Sequence, residues 1–217
     1  MRKVLLTHSY YLNLDPKQLA TGQPYAPLGT LYATALLQHH HYEVAFFDTM
    51  FAGGPEDIVP VIKKEEPGIF VIYDDGFNYL TKMCLENMRE AAFDMIKSAK
   101  KAGCRVIVSS SDSTDRYEMY LNEGADFILM GEAELTLLEL VSELSADGTN
   151  FFAIDGLSFI QAGAIVKTKR RAVLKEPDSL PFPAWNMIDM EPYRKMWLKH
   201  AGFFSMNMVT TRVCQFK

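Results

Sequence analysis

Short apolar runs alternate along this chain with longer segments whose apolar positions recur every three or four residues. The runs KVLLTH (3–8), EVAFFD (43–48), GIFVIYDD (68–75), CRVIVSS (104–110) and DFILM (126–130) lead into polar turns, which predicts buried strands. Between them, GTLYATALLQHH (29–40), PEDIVPVIKKEEPG (55–68), residues 80–102, DRYEMYLNEG (115–124) and EAELTLLELVSELSA (132–146) predict helices. Residues 80–102 carry the clearest pattern. Met83, Met88, Ala91, Ala92, Met95, Ile96 and Ala99 share one face, Lys97, Lys100 and Lys101 suit the C-terminal dipole, and Gly103 closes the helix. Pro60 is expected to disturb its helix. The polar, Pro- and Gly-containing stretch between the first strand and first helix reads as loop. Strand followed by helix, repeated through the chain, predicts a parallel sheet wound on both faces.

Near residue 150 the rhythm changes. DGLSFIQAGAIVKT (155–168) reads as a hairpin around Gln-Ala-Gly, KEPDSLPFPAW (175–185) as an extended linker, 190–198 as a short helix, and FFSMNMV (203–209) as a strand. The expected class is therefore α/β: a flavodoxin-like or Rossmann-type doubly wound five-stranded parallel sheet, followed by a small β-hairpin and linker. The expected organisation is an α/β domain at 1–150, hairpin and Pro-rich linker at 151–203, and the start of a further domain at 204–217.

Composition narrows the function classes. The chain has 217 residues, 48% of them hydrophobic, and a net charge of −5. That supports a real core and argues against the basic face that nucleic acids require. No apolar run approaches the roughly 18 residues of a membrane span, and MRKVLLTHSYY has too short an apolar centre for a signal peptide. Three cysteines, Cys84, Cys104 and Cys214, fit reduced thiols in a cytoplasm better than a disulfide framework.

Ligands of doubly wound sheets bind beyond the carboxyl ends of the strands. The stretches to read are thus HSYYLN after the first strand, YDDGFN after the third, SSSDSTD after the fourth and MGEAE after the fifth. The G-x-G-x-x-G of a dinucleotide site and the Walker loop are both missing from the sequence. Asp74 resembles a receiver-domain phosphoacceptor, but its acidic and lysine companions are missing. HSYYLN is too bulky for a flavodoxin phosphate loop. Ser109, Ser110 and Ser111 leave room for close backbone approach and add hydroxyls, and Gly131 allows the same closeness. His8 stands at a productive strand end, where a hydrogen-bonded structural role competes with metal ligation. Adjacent side chains on a helix diverge by about 100°, so His39, His40 and His41 do not converge on one ion.

The ordered set PYAPLGTLYATALL, SSSDSTDRYEMYLNEGADFILMGEAELTLLELV, LPFPAWNMID and MVTTRVC resembles the cobalamin-binding domains of B12-dependent radical SAM enzymes, a group that includes methyltransferases and anaerobic magnesium-protoporphyrin monomethyl ester cyclases. The resemblance covers essentially the whole chain and rests mainly on the GAD-strand-GE-x-E and LPFPAW elements. It implies a corrinoid held by Thr7, His8, Leu28, Gly29, Asp74, Asp75, Gly76, Phe77, Asn78, Ser109, Ser110, Ser111, Asp112, Thr114, Gly131 and Glu132. It also implies that Cys214 is the first ligand of a C-x3-C-x2-C cluster motif whose next cysteine falls beyond Lys217. A [4Fe–4S] cluster, S-adenosylmethionine and a C-terminal radical SAM domain would then belong to a longer protein, because one thiolate cannot hold such a cluster.

This sequence departs from the family pattern in several places. Ser109 to Thr114 replace the usual G-G-x-H-x-T, Ala133 takes the third position of G-E-G-E, and Val213 and Gln215 flank Cys214 where Gly and Pro are usual. The D-x-H-x-x-G whose histidine ligates cobalt in classical corrinoid domains is also missing, as it is in many radical SAM members. Two rival readings stay open: a degenerate docking or structural domain, and a module for another nucleotide-like molecule.

Overall fold

The computed structural model describes residues 2–74, 76 and 86–209. Parallel strands β1 (Val4–Thr7), β2 (Val44–Phe47), β3 (Ile69–Tyr73), β4 (Arg105–Ser109) and β5 (Phe127–Leu129) lie in the order 2-1-3-4-5. β6 (Leu157–Gln161) adds antiparallel to β5, and β7 (Ala164–Lys167) pairs antiparallel with β6, giving a seven-stranded sheet. The expected hairpin is thus continuous with the main sheet.

Period-two alternation sorts the strand residues onto two faces. Leu5, Phe70, Ile72, Val106, Val108 and Ile128 face one core with α3 (Ile58–Glu65), α4 (described over Glu86–Lys101) and α6 (Tyr117–Asn122). Val4, Leu6, Ile69, Val71, Ile107 and Leu129 face the other, with α2 (Leu28–His39) and α7 (Glu134–Ser145). Each fully buried Val, Leu or Ile contributes roughly 1.5–3 kcal/mol, so both faces are held strongly.

Several local features differ from the sequence expectation. The stretch read as loop after β1 contains a 3₁₀ turn (Leu12–Leu14) and α1 (Pro16–Thr21). Asp15 caps α1 by accepting the Gln18 N–H at 3.1 Å, and Pro16 occupies its first position, where no intrahelical N–H is needed. Pro60 leaves α3 intact because it falls in the first turn, whose amides have no partner to lose. The segment 110–122 forms two short helices, α5 (Ser111–Asp115) and α6. Residues 203–209 form no strand.

The larger departure is the segment after the hairpin. Residues 184–207 fold back over the β1–α2 connection as a strap that carries α8 (Glu191–Ala201). The Ala184 N–H donates to the Leu31 carbonyl at 3.1 Å, Trp197 Nε1 to Pro24 O at 2.7 Å, and Asn207 Nδ2 to Ala26 O at 3.0 Å. The His200 ring lies over Gly22, at φ +65°, where an added Cβ would come within 2.2 Å of it, so only glycine fits. Covered by the sheet, α7 and this strap, α2 is buried nearly all round, which explains its continuous apolar sequence.

Candidate functional site

In the order 2-1-3-4-5 the chain reverses direction across the sheet between β1 and β3, so the crevice beyond their carboxyl ends is where a ligand is expected. The structure joins β1, β3 and β4 directly at this edge. Ser9, just after β1, donates its N–H to Asp74 Oδ1 at 2.7 Å and its hydroxyl to Asp74 Oδ2 at 2.8 Å. The Asp74 N–H donates to the Ser109 carbonyl at 2.8 Å. Burial raises the Asp74 pKa, opposed by the two Ser9 hydrogen bonds. At α2, Thr30 Oγ1 donates to the Tyr73 carbonyl at 2.5 Å, fixing Leu28 and Gly29 in a buried first turn against the end of β3. Gly76 is exposed, and a Cβ on it would meet nothing within 4 Å.

Thr7 and His8 turn toward β2. Thr7 Oγ1 donates to the Phe47 carbonyl at 2.8 Å. His8, 1% exposed, places Nε2 2.8 Å from Asp48 Oδ1 and Nδ1 3.1 Å from Thr49 Oγ1. Asp48 also accepts from the Met50 N–H at 3.0 Å and from the Tyr193 hydroxyl at 2.8 Å, which anchors α8 to the sheet edge. Both His8 ring nitrogens therefore face protein groups, the structural role that competed with ligation in the sequence.

The serines after β4 are partly engaged by the chain itself. The Ser110 and Ser113 side chains accept each other's backbone N–H at 2.8 and 2.9 Å, a reciprocal cap on α5. Thr114 Oγ1 donates to the Ser110 carbonyl at 2.9 Å. Ser109 is buried, while Ser111 is exposed. Asp112 accepts Arg89 Nε at 2.5 Å, Arg89 Nη2 at 2.7 Å and the Tyr120 hydroxyl at 2.9 Å. Burial raises the Asp112 pKa, but the Arg89 and Tyr120 hydrogen bonds outweigh it, and the carboxyl sits below its usual range. After β5, Gly131 adopts φ +81° with nothing within 4 Å of a built Cβ, so the edge there is open. Glu132 Oε2 accepts the Leu174 N–H at 2.9 Å and so ties the β5 turn to the linker.

Of the residues singled out from sequence, Asp74, Ser109, Leu28 and Gly29 meet at one edge, and Gly76, Ser111 and Gly131 present open surface on its β3, β4 and β5 turns. Asp75, Phe77, Asn78 and Cys214 lie outside the described residues. Sequence reasoning passed over Ser9, Asp48, Arg89 and Tyr193. Ser9 and Asp48 stand at strand ends and were findable by position. Arg89 and Tyr193 carry no local signal, since their partners are distant in the chain.

No protein-family model matches the chain. An uncharacterized methyltransferase of Pyrococcus horikoshii is 28% identical over 173 residues, covering 77% of this chain and 35% of that protein. The cobalamin-dependent S-adenosylmethionine radical enzyme OxsB with aqua-cobalamin bound superposes at a TM-score of 0.68, with 16% identity, over 90% of this chain and 25% of OxsB. The radical S-adenosylmethionine methyltransferase TsrM from Kitasatospora setae, with cobalamin and a [4Fe-4S] cluster bound, superposes at 0.61 with 18% identity over 77% of this chain and 31% of TsrM. This chain spans only 25% to 35% of the length of these three proteins. Its fold is that of a region within cobalamin-dependent radical SAM enzymes.

Proposed function

We propose that this chain is the cobalamin-binding module of a B12-dependent radical SAM enzyme, acting in the cytoplasm beside a domain that supplies S-adenosylmethionine and a [4Fe-4S] cluster. The observation that carries the reading is the match to aqua-cobalamin-bound OxsB over 90% of the chain, in a sheet whose switch point lies at the loops that the sequence resemblance singled out. The edge has the right chemistry for the nucleotide arm of a corrinoid. It offers a hydroxyl on exposed Ser111 and bare backbone at Gly76 and Gly131, where a Cβ would meet nothing within 4 Å. Asp74, braced by Ser9, fixes the β3 turn against β4.

When bound, the corrinoid supplies a carrier for methyl-transfer or cyclase-type chemistry. The chain's own part is to bury the arm and orient the ring. Neutral hydrogen bonds to the arm contribute about 1 kcal/mol each, and apolar burial at about 25 cal/mol per Å² dominates. His8 holds the β1 and β2 ends together and is already engaged on both ring nitrogens, so it would not be free to ligate a bound corrinoid's cobalt.

A second reading has its own support. Ser110, Ser113, Asp112 and His8 satisfy one another or close neighbours, as expected of a degenerate module that serves only for docking. Titration with hydroxocobalamin, followed by visible spectrum and by retention on a desalting column, separates the two. Retention at tens of micromolar is expected for the wild-type chain, and retention at least tenfold weaker for Gly131→Val. Side-chain strain at this positive φ costs about 1–2 kcal/mol, so circular dichroism must first show that the variant is folded. Wild-type protein that elutes free of corrinoid overturns the cobalamin reading and favours the docking one.

A further inference from the structure

Asp112 stands in the loop that the corrinoid reading places against the ligand, yet its carboxylate is spoken for. Arg89, near the described start of α4, reaches across to it with two parallel hydrogen bonds, Nε to Oδ2 at 2.5 Å and Nη2 to Oδ1 at 2.7 Å. Their side chains are only 12% and 9% exposed. Tyr120 of α6 donates to Oδ2 at 2.9 Å, and Arg116 Nε approaches Oδ1 at 3.4 Å. Three helices thus converge on one carboxylate, both of whose oxygens are engaged.

We infer that Arg89 and Asp112 form a positioning clamp that sets the β4 loop for the corrinoid arm, an inference that rests on the cobalamin reading above. Asp112 lies in the first turn of α5, two residues after the capping Ser110. Ser109, one residue before that cap, receives the Asp74 N–H from β3. Holding α5 therefore holds the ends of both β3 and β4. Arg89 belongs to the helix that follows the β3 connection, so the clamp ties the elements after β3 and β4 into one body. A forked guanidinium fixes the orientation of a carboxylate as well as its distance, which an ammonium does not. Because the pair is buried, removing one partner strands the charge of the other and lets the loop shift. Asp112 thereby acts on the ligand through geometry, and Arg89 shares that role.

A double-mutant cycle read as hydroxocobalamin affinity tests this. Arg89→Gln and Asp112→Asn are each expected to weaken retention about tenfold, and the double variant to be no weaker than either single one. Arg89→Lys keeps the charge without the fork and is expected to fall between wild type and Arg89→Gln. Ile96→Val, a methyl deletion in the core on the same helix, serves as control. It is expected to lower the melting temperature while leaving affinity unchanged. Additive losses in the double variant would mean that Asp112 touches the ligand directly and would overturn the clamp. Affinity losses no larger than those of the Ile96→Val control, at matched melting temperature, would reduce the pair to a structural ion pair and also overturn it. If the wild-type chain itself retains no corrinoid, both the cobalamin reading and the clamp fail, an outcome distinct from the other two.

Discussion

Tyr193→Phe tests whether the strap belongs to the same folding unit as the sheet. The phenol is 1% exposed, its ring meets Phe51 edge-on at 4.7 Å between centroids, and its hydroxyl donates to Asp48 Oδ2 at 2.8 Å. The substitution deletes one oxygen and leaves the ring packing intact. Asp48 keeps the Met50 N–H and His8 on its other oxygen. A hydrogen bond to a charged group is worth about 1.5–3 kcal/mol. With 19% of its side chain exposed, Asp48 recovers part of this from water, so the expected loss is about 1.5 kcal/mol. For a urea dependence of about 2.5 kcal/mol per molar, the unfolding midpoint should fall by about 0.6 M. Tyr193→Ala also removes the ring, at about 3–5 kcal/mol. Far-ultraviolet circular dichroism in urea reads both. A wild-type midpoint for Tyr193→Phe would show that the hydroxyl contributes nothing. An Ala variant that loses α8 in a separate early transition, with the sheet melting at the wild-type midpoint, would show that the strap is not part of the cooperative core.

Two further predictions concern the β4 loop. The folded-state pKa of Asp112 is lowered, so its contribution to stability is present above its ordinary value of 3.8 and disappears as pH falls through and below it. Asp112→Asn should therefore flatten the acid limb of a stability-versus-pH curve between about pH 5 and pH 2, and an unchanged acid limb would contradict the assignment. Ser110→Ala removes one half of the reciprocal cap on α5 and should cost about 1 kcal/mol, read as a lower melting temperature, whereas Ser110→Thr should remain near wild type.

The parallel sheet was legible because fully buried strands need uninterrupted apolar runs, and VLLT, IFVIY and RVIVS supply them. The expectation of a site at the strand ends followed from the same pattern. What those strand-end residues do was not legible. The string SSSDST offers the same hydroxyls whether they meet a ligand or cap a helix, and only the backbone path of α5 turned Ser110 and Ser113 toward each other. Pro60 was misjudged because its effect depends on which turn of the helix it occupies, and the sequence does not mark the helix start that sharply.

By itself, then, the sequence determined the alternation of elements and the two-sided burial of the strands, and with them the edge at which a ligand is expected, because these depend on local periodicity and on the apolar content of short windows. Only the tertiary structure decided the partners. Tyr193 finds Asp48 and Arg89 finds Asp112 across gaps of 145 and 23 residues, the hairpin joins the sheet through β5, and the strap closes over α2. Long-range hydrogen bonds and ion pairs are set by where the packed helices and strands place side chains in space, and no local pattern in the chain encodes that meeting.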